Sequence, residues 1–415
     1  TLVCRLDSSD PSLEFSLGVL ASLGDEDGRM SGKVSGSIAG VDLHKLGIDP
    51  REGVSRIGLD IDADLSARGS MVEGFARLGG IRVENGKGGT EVGDVDFRAY
   101  VQDGEQCFNL NSPFADIFFA GTGTLTQFVS DIQDISLQRH LPAIRGGSAV
   151  ERSPSAYDIE AVFHDSRDLM SFVMPGLYIS DSTRLALSVS DEGRLEASLH
   201  SSRLAFGREY VKGVDLELFS GSEYMEANLS GSELRTGNIL VDRPVLNARA
   251  SDDCFSATLN FGRFAGGGKD GRLMLEGRIA RDSSGVFTLD ARPLYSYLAT
   301  DDGMWAFDES EISFNGSDLT VSGFNLRKDR QMISIDGGWS KNRSDTLSLV
   351  ASDIDLSIID EFLPEALGIR GKAGGRALLT SGGGKLPGML MNFRLDSLGI
   401  GGTDAGSIRL ASALG

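Results

Sequence analysis

The sequence predicts an all-β chain: a long curled, antiparallel-rich sheet with an open hydrophobic groove and a few short amphipathic helices. Three observations predict it. Apolar and polar residues alternate in stretch after stretch, the period of a strand with one buried face. Turn clusters such as Asp25–Gly28, Asn85–Gly89 and Gln102–Gly104 recur at the spacing of a chain of short strands. The 415 residues include 54 glycines and 10 prolines, a glycine content about twice the average without a collagen period. Antiparallel sheets tolerate strands with one apolar and one polar face, whereas parallel sheets are covered on both. No segment has the length of a crossover helix.

Taken in order, "RIGLDIDADL" places Ile57, Leu59 and Ile61 on one face and Asp60, Asp62 and Asp64 on the other. Those acids form a solvated strand face. An EF-hand loop also needs a glycine and a distal glutamate, which are missing. "DSRDLMSFVMPGLYI", from Asp165, puts Leu169, Phe172 and Val173 at helical spacing before Pro175. It predicts one short helix leading into a strand. "RLALSVSDEGRLEASLH" reads as a hairpin, with Leu185, Leu187 and Val189 leading to a turn at Asp191-Glu192-Gly193 and Leu195, Ala197 and Leu199 returning. "VDLELFSGSEYMEANLSG" repeats the pattern with Leu216 and Leu218, and "GRLMLEGRIARDSSGVFTLDARPL" with Leu273 and Leu275. Ile333 and Ile335, then Leu347 and Leu349, carry the alternation onward. From Asp355 the spacing of Leu356, Ile359, Phe362 and Leu363 predicts a second short helix, with Ser357 as N-cap and Pro364 as stop. A shorter echo is "VDLHKLGI", Val41–Ile48. Fourteen of these residues, Ile57, Leu59, Ile61, Leu185, Leu187, Val189, Leu216, Leu218, Leu273, Leu275, Ile333, Ile335, Leu347 and Leu349, are expected to face inward together and line the groove. Two continuous segments are expected, 1–150 and 151–415.

The charge balance is 60 acids against 40 bases, net −20. With no basic cluster, nucleic acid is an unsuitable partner. Cys4, Cys107 and Cys254 are sparse and odd in number, which argues against a disulfide framework or a zinc site. No apolar run reaches 18 residues, so no stretch is expected to span a membrane. The chain begins and ends mid-pattern and is expected to be an internal part of something longer.

No enzyme is expected, and no cofactor, metal site or catalytic residue. There is no G-x-S-x-G, and "GGGKLPG" lacks the Ser or Thr after Lys385 that a phosphate loop needs. His44, His140, His164 and His200 are far apart in sequence and read as surface residues. Asp252-Asp253 and Asp301-Asp302 read as turn residues rather than carboxylate dyads. A structural or adhesive β-solenoid would show a regular short repeat, and the strand lengths here are irregular. An ordinary filled sandwich core fits the apolar stripes as well as a groove does.

The order of several segments resembles the TamB family of translocation and assembly modules, AsmA-like proteins, in its Bacteroidota form. The segments are Asp355-Leu356 and Phe362-Leu363 followed by "IRGKAGGRALLTSGGGKLPGMLMNFRLDSLGIGG", the upstream "MWAFDESEISFNGSDLTVSGFNLRKDRQMISIDGGWS", and "NLSGSELRTGNILVDRPVLNARASDDCFSATLNF". The resemblance runs from about Asp165 to the C-terminus and is weaker over the first 140 residues. It implies a periplasmic protein of the bacterial envelope, anchored in the inner membrane by a segment outside this chain. It further implies that phospholipid acyl chains move along an apolar groove toward the outer membrane. An outer-membrane barrel of the TamA/BamA type is the implied partner, and support of outer-membrane protein assembly the implied second role. The alternative is a structural or chaperone-like scaffold that offers a sheet edge to a barrel by strand addition, without lipid transfer.

Overall fold

The computed structural model describes residues 2–22, 24, 28–49, 55–86, 88–145, 155–237, 239–262, 270–281, 283–300, 303–357, 367–381 and 388–414. The chain divides into two units, Thr1–Gln133 with Arg152–Phe219, and Asp134–Glu151 with Ser220–Gly415. Both are all-β, with antiparallel pairing and few, short helices.

The first unit carries β1 (Leu2–Asp10), β2 (Leu13–Ser22), β3 (Met30–Asp42), β4 (Ser55–Arg68), β5 (Met71–Asn85), β6 (Gly88–Gln102), β7 (Glu105–Asn111) and β8 (Ala115–Gly121). Helix α1 (Leu125–Gln133) follows β8. After it come β9 (Tyr157–Phe163), α3 (Arg167–Val173), β10 (Leu177–Ile179), β11 (Arg184–Val189), β12 (Leu195–Phe206) and β13 (Glu209–Ser220). Strands β1 to β9 pair each with the next, and β11 then lies between β9 and β12.

Between α1 and β9 the chain enters the second unit with a π-helical turn, Asp134–Gln138, and α2 (Pro142–Arg145). That unit continues with β14 (Met225–Ser230), β15 (Glu233–Thr236), β16 (Ile239–Asp242), β17 (Val245–Ser251), β18 (Cys254–Phe261), β19 (Asp270–Arg281) and β20 (Phe287–Pro293). The rest are β21 (Ser296–Thr300), β22 (Gly303–Phe307), β23 (Glu311–Asn315), β24 (Asp318–Lys328), β25 (Gln331–Ser340), β26 (Thr346–Asp355), β27 (Arg370–Thr380), β28 (Gly388–Ile400) and β29 (Thr403–Leu414).

Alternation gives these strands their faces, and turn residues their ends. Asp252 and Asp253 both lie in the left-handed region, φ 52° and 62°, as the two-residue turn between β17 and β18. That is the twist-matched hairpin turn that Asp tolerates well. Asp301-Asp302 lies outside the described residues.

The predicted helix at Asp165 is α3. Its second counterpart begins at Leu356-Ser357, and residues 358–366 lie outside the described residues. Val41–Ile48 closes one α-type bond, Leu46 N–H to the Asp42 carbonyl, and one 3₁₀-type bond, Gly47 N–H to the His44 carbonyl, and Gly47 then turns left-handed at φ 71°.

Helix α1 has a capping box, unread in the sequence: Thr124 Oγ1 accepts from Gln127 N–H at 3.2 Å, and Gln127 Oε1 from Thr124 N–H at 2.9 Å. His140 corrects an expectation: it is 2% exposed, not a surface residue. The cause is the helical segment Asp134–Arg145, which lies on the sheet and carries the ring inward.

Ladders slip by β-bulges in transverse columns. In the first unit these fall between Ile38 and Val41, Gly58 and Asp60, and Leu78 and Ile81, on adjacent strand pairs. In the second they fall at Val321/Phe324, Ala351/Ile354 and Leu395/Leu398. Bulges bend and twist a sheet. The best-buried apolar clusters sit beside these columns: Ile81, Val83, Val92 and Val95 with Phe172 of α3, and Trp305, Ile354, Leu356, Ala373 and Leu398.

Candidate functional site

The register turns alternation into continuous surfaces. Across the first unit one transverse row reads Val34, Ala63, Ala76, Phe97, Leu110, Ile117, Ala161, Leu185, Leu199 from β3 to β12. All nine are apolar. A row on the opposite face reads Ser35, Asp62, Arg77, Asp96, Asn111, Asp116, Val162, Arg184, His200, and only Val162 is apolar. Ion pairs lace that outer face, with Lys33 Nζ 2.6 Å from Asp64 and Arg77 Nε 2.8 Å from Asp96.

Ile57, Leu59 and Ile61 on β4 and Leu185, Leu187 and Val189 on β11 all lie on the apolar face. Leu216 and Leu218 on β13 join them, because Asp215 reaches His200 Nδ1 at 3.1 Å on the polar face and the alternate positions point the other way. In the second unit Leu273 and Leu275 share a face with Leu259 and Ala257 of β18 and Pro293 of β20. The same face continues through Ala291, Ile312, Val321 and Gly337 to Ile335, Ile333, Leu349 and Leu347. The fourteen residues therefore fall on one face within each unit.

Exposure separates an open face from a filled core. Of the fourteen, Val189 alone is buried, at 3% exposure; Leu273 is exposed at 37%, and the others are half-buried. On β17 to β20 the face holds an apolar depression of about 240 Å³, walled by Leu246, Leu259, Leu273, Leu275, Pro293 and Phe307.

Helices cover parts of the face. In the first unit Phe97, Phe108, Phe119 and Tyr157 form a ladder of rings on β6 to β9, with centroids 5.5–5.9 Å apart. Phe128 of α1 lies edge-on over Phe119 and Tyr157, at 5.9 and 5.3 Å. Asp131 of α1, itself buried, accepts from the Tyr157 hydroxyl at 2.9 Å and from Ser155 N–H at 3.2 Å. In the second unit Leu141 and Ala143 pack on Ala250 and Ile279. Polar ties hold that segment. Ser220 Oγ donates to the Ile135 carbonyl at 2.6 Å, so His140 Nε2, 2.9 Å away, is the donor to Ser220. Asp253 Oδ1 accepts from Ala143 N–H, and Arg281 donates to the Ala143 and Ile144 carbonyls. Burial, with Arg139 beside it, pushes the His140 imidazole below its ordinary 6.5.

The other histidines are scattered. His164 Nε2 lies 2.9 Å from Asp116, and His44 Nδ1 3.1 Å from the Asp49 carbonyl. Among the described residues no grouping of three His, Cys, Asp or Glu is placed to hold a metal ion, and no helix is long and apolar enough to cross a membrane.

Two inner-face features escaped the sequence reading. One is the ring ladder, which depends on register across four strands. The other is Arg203 on β12, in phase with Leu199, its guanidinium over the Tyr210 ring and near the Tyr178 ring. Its signal was present: continuing the alternation two steps past Leu199 reaches it.

Compared with known proteins, the chain matches no family model, no curated protein and no solved structure.

Proposed function

We propose that this chain is part of a non-enzymatic, periplasmic envelope protein of the TamB type, anchored in the inner membrane. Its apolar sheet face carries phospholipid acyl chains toward the outer membrane, with a barrel of the TamA/BamA type as partner and outer-membrane protein assembly as the dependent process. The observation that carries this reading is the apolar face that runs from β3 to β12 in the first unit, much of whose lining stays half-exposed. A face built only as core would be closed over. Each methylene that leaves water for such a face gains about 0.8 kcal/mol, so an acyl chain enters without any chemistry. The resemblance of the segments after Asp165 to the TamB family supplies the envelope setting and the partner.

A photo-crosslinking residue at Leu187 tests it, with one at Glu196 on the polar face as control. After irradiation in bacterial envelopes, mass spectrometry is expected to find phospholipid adducts at position 187 and none at 196. Adducts to outer-membrane barrel segments alone would replace this reading with the scaffold or chaperone one. No adduct at either position would refute it.

A further inference from the structure

Helix α3 has a second apolar side that the sheet does not use. Leu169 and Phe172 pack with Ile81, Val83, Val92 and Val95, beside Ile57 and Leu59 of the trough lining. The residues that follow face water. Val173 is 57% exposed, and Met174, Pro175 and Gly176 are exposed after it. The turn that joins β12 to β13 lies against them. Gly207 N–H donates to the Gly176 carbonyl at 2.9 Å, and Leu177 pairs with Phe206, which is 62% exposed. Every residue from 173 to 176 and from 206 to 209 is exposed. Two turns are thus bonded into one protruding tip that shows Val173, Met174 and Phe206 to solvent.

The tip recurs. In the second unit Gly401 N–H donates to the Leu367 carbonyl at 2.8 Å, and Leu367 and Ile400 are both exposed. Gly176 and Gly368 hold the same place in the two tips. Each has a positive φ, 97° and 63°, and a Cβ there would stand 3.4 Å from the amide nitrogen of the glycine in the facing turn. Val41–Ile48 gives a further case, with Leu46 and Ile48 exposed on either side of left-handed Gly47 and Leu43 packed on the same cluster as α3. A single exposed apolar residue means little. The same apolar tip built from separate stretches of chain is a surface kept for a partner.

The form of the tip selects that partner. A convex end of separate aliphatic and aromatic side chains fits a fluid apolar medium, which closes around it without a preformed groove. Tyr178 stands next to Leu177 on β10, and Tyr210 follows the β12–β13 turn. The Arg203 guanidinium lies over the Tyr210 ring at 4.7 Å and 5.8 Å from the Tyr178 ring. Apolar end, then tyrosine ring and cation, is the order that suits a bilayer interface. Charges beside the tip are of both signs: Arg167 pairs with Asp165 at 2.7 Å, and Arg208 is followed by Glu209. An anionic surface is therefore not required.

We propose that Val173, Met174 and Phe206 form a lip that inserts into the interfacial layer of a phospholipid bilayer, so that acyl chains pass over α3 between the bilayer and the trough at Ile57 and Leu59. The inference rests on the reading of this face as a lipid trough and adds the place where lipid enters or leaves it.

Flotation of the full chain with vesicles of phosphatidylethanolamine and phosphatidylglycerol tests the lip. The wild-type chain is expected to float, with little effect of salt. The triple variant Val173→Ser, Met174→Ser, Phe206→Ser is expected to lose about tenfold in vesicle affinity. Its far-UV circular dichroism stays unchanged, because the three side chains are exposed. Phe75→Ser removes another exposed ring, on the polar face opposite Asp64 and Arg98, and is expected to leave flotation unchanged. In Phe206→Trp, brominated acyl chains are expected to quench tryptophan emission more than in the wild type. A wild-type chain that stays off the vesicles, or a triple variant that floats as well as the wild type, overturns the lip; the trough reading is still decided separately by the adducts at Leu187. Flotation confined to phosphatidylglycerol-rich vesicles and abolished by salt makes charge the attraction and overturns it as well. A photo-crosslinking residue at Phe206 that yields protein adducts and no lipid adducts in envelopes makes the tip a protein-docking element and overturns the membrane assignment.

Discussion

A single charge placed at two points on the same apolar face distinguishes an open trough from a filled core. Leu187 and Leu195 belong to one hairpin of the first unit. Leu187 lies between Ile159 and Ala197 and is half-buried, whereas Leu195 pairs with Val189 and is 1% exposed. Full burial of a leucine is worth about 1.5–3 kcal/mol, so truncating Leu187 forfeits roughly 1 kcal/mol. Aspartate is a poor strand residue, which adds up to about 1 kcal/mol. Its carboxylate reaches water, so no large desolvation cost follows. Leu187→Asp is therefore expected to lose about 2 kcal/mol. Leu195→Asp forfeits the whole burial and leaves an unpaired charge inside, which places its loss above about 4 kcal/mol. Guanidinium unfolding of the intact chain, followed by far-UV circular dichroism, gives both losses, and amide exchange in β11 and β12 localises them. Equal losses at the two positions, or a loss above about 4 kcal/mol at Leu187, would refute the open face and make these strands an ordinary core.

Tyr157→Phe removes one of the two donors, with Ser155 N–H, that reach the buried Asp131 side chain, and is expected to cost about 2 kcal/mol. Faster amide exchange across α1 checks it, and unchanged exchange there removes the proposed tie between helix and sheet. His140 makes the second unit sensitive to acid. Its folded value is depressed, so the unfolded chain binds the proton more readily. Stability is full above pH 6.5 and falls as pH drops from there toward the folded value. Exchange of the 135–144 amides is expected to accelerate on going from neutral to mildly acidic pH, and a flat profile contradicts the burial argument.

Much of this molecule was legible without coordinates, because a strand's faces follow from period two alone. Once Ile57, Leu59 and Ile61 alternate with acids, sterics put them on one side whatever they pair with. The hairpin at Asp191–Gly193 and the Asp252-Asp253 turn are local, so local chemistry announces them. Helix α3 was legible for the same reason, through the spacing of Leu169, Phe172 and Val173. Helix α1 was written equally plainly in Thr124 and Gln127 but was read past. Only the tertiary structure decided what meets what. The stacking of Phe97, Phe108, Phe119 and Tyr157 depends on register set by three separate strand pairings. The bulge columns depend on slips that neither strand of a pair reveals alone. His140 is buried because a helical segment lies on strands that come some eighty and more residues later. Arg203 betrays its inward phase by alternation, yet its placement against Tyr178 and Tyr210 exists only in the folded chain. Sequence spacing fixes direction over a few residues, whereas proximity between distant segments is settled by the free energy of the whole fold.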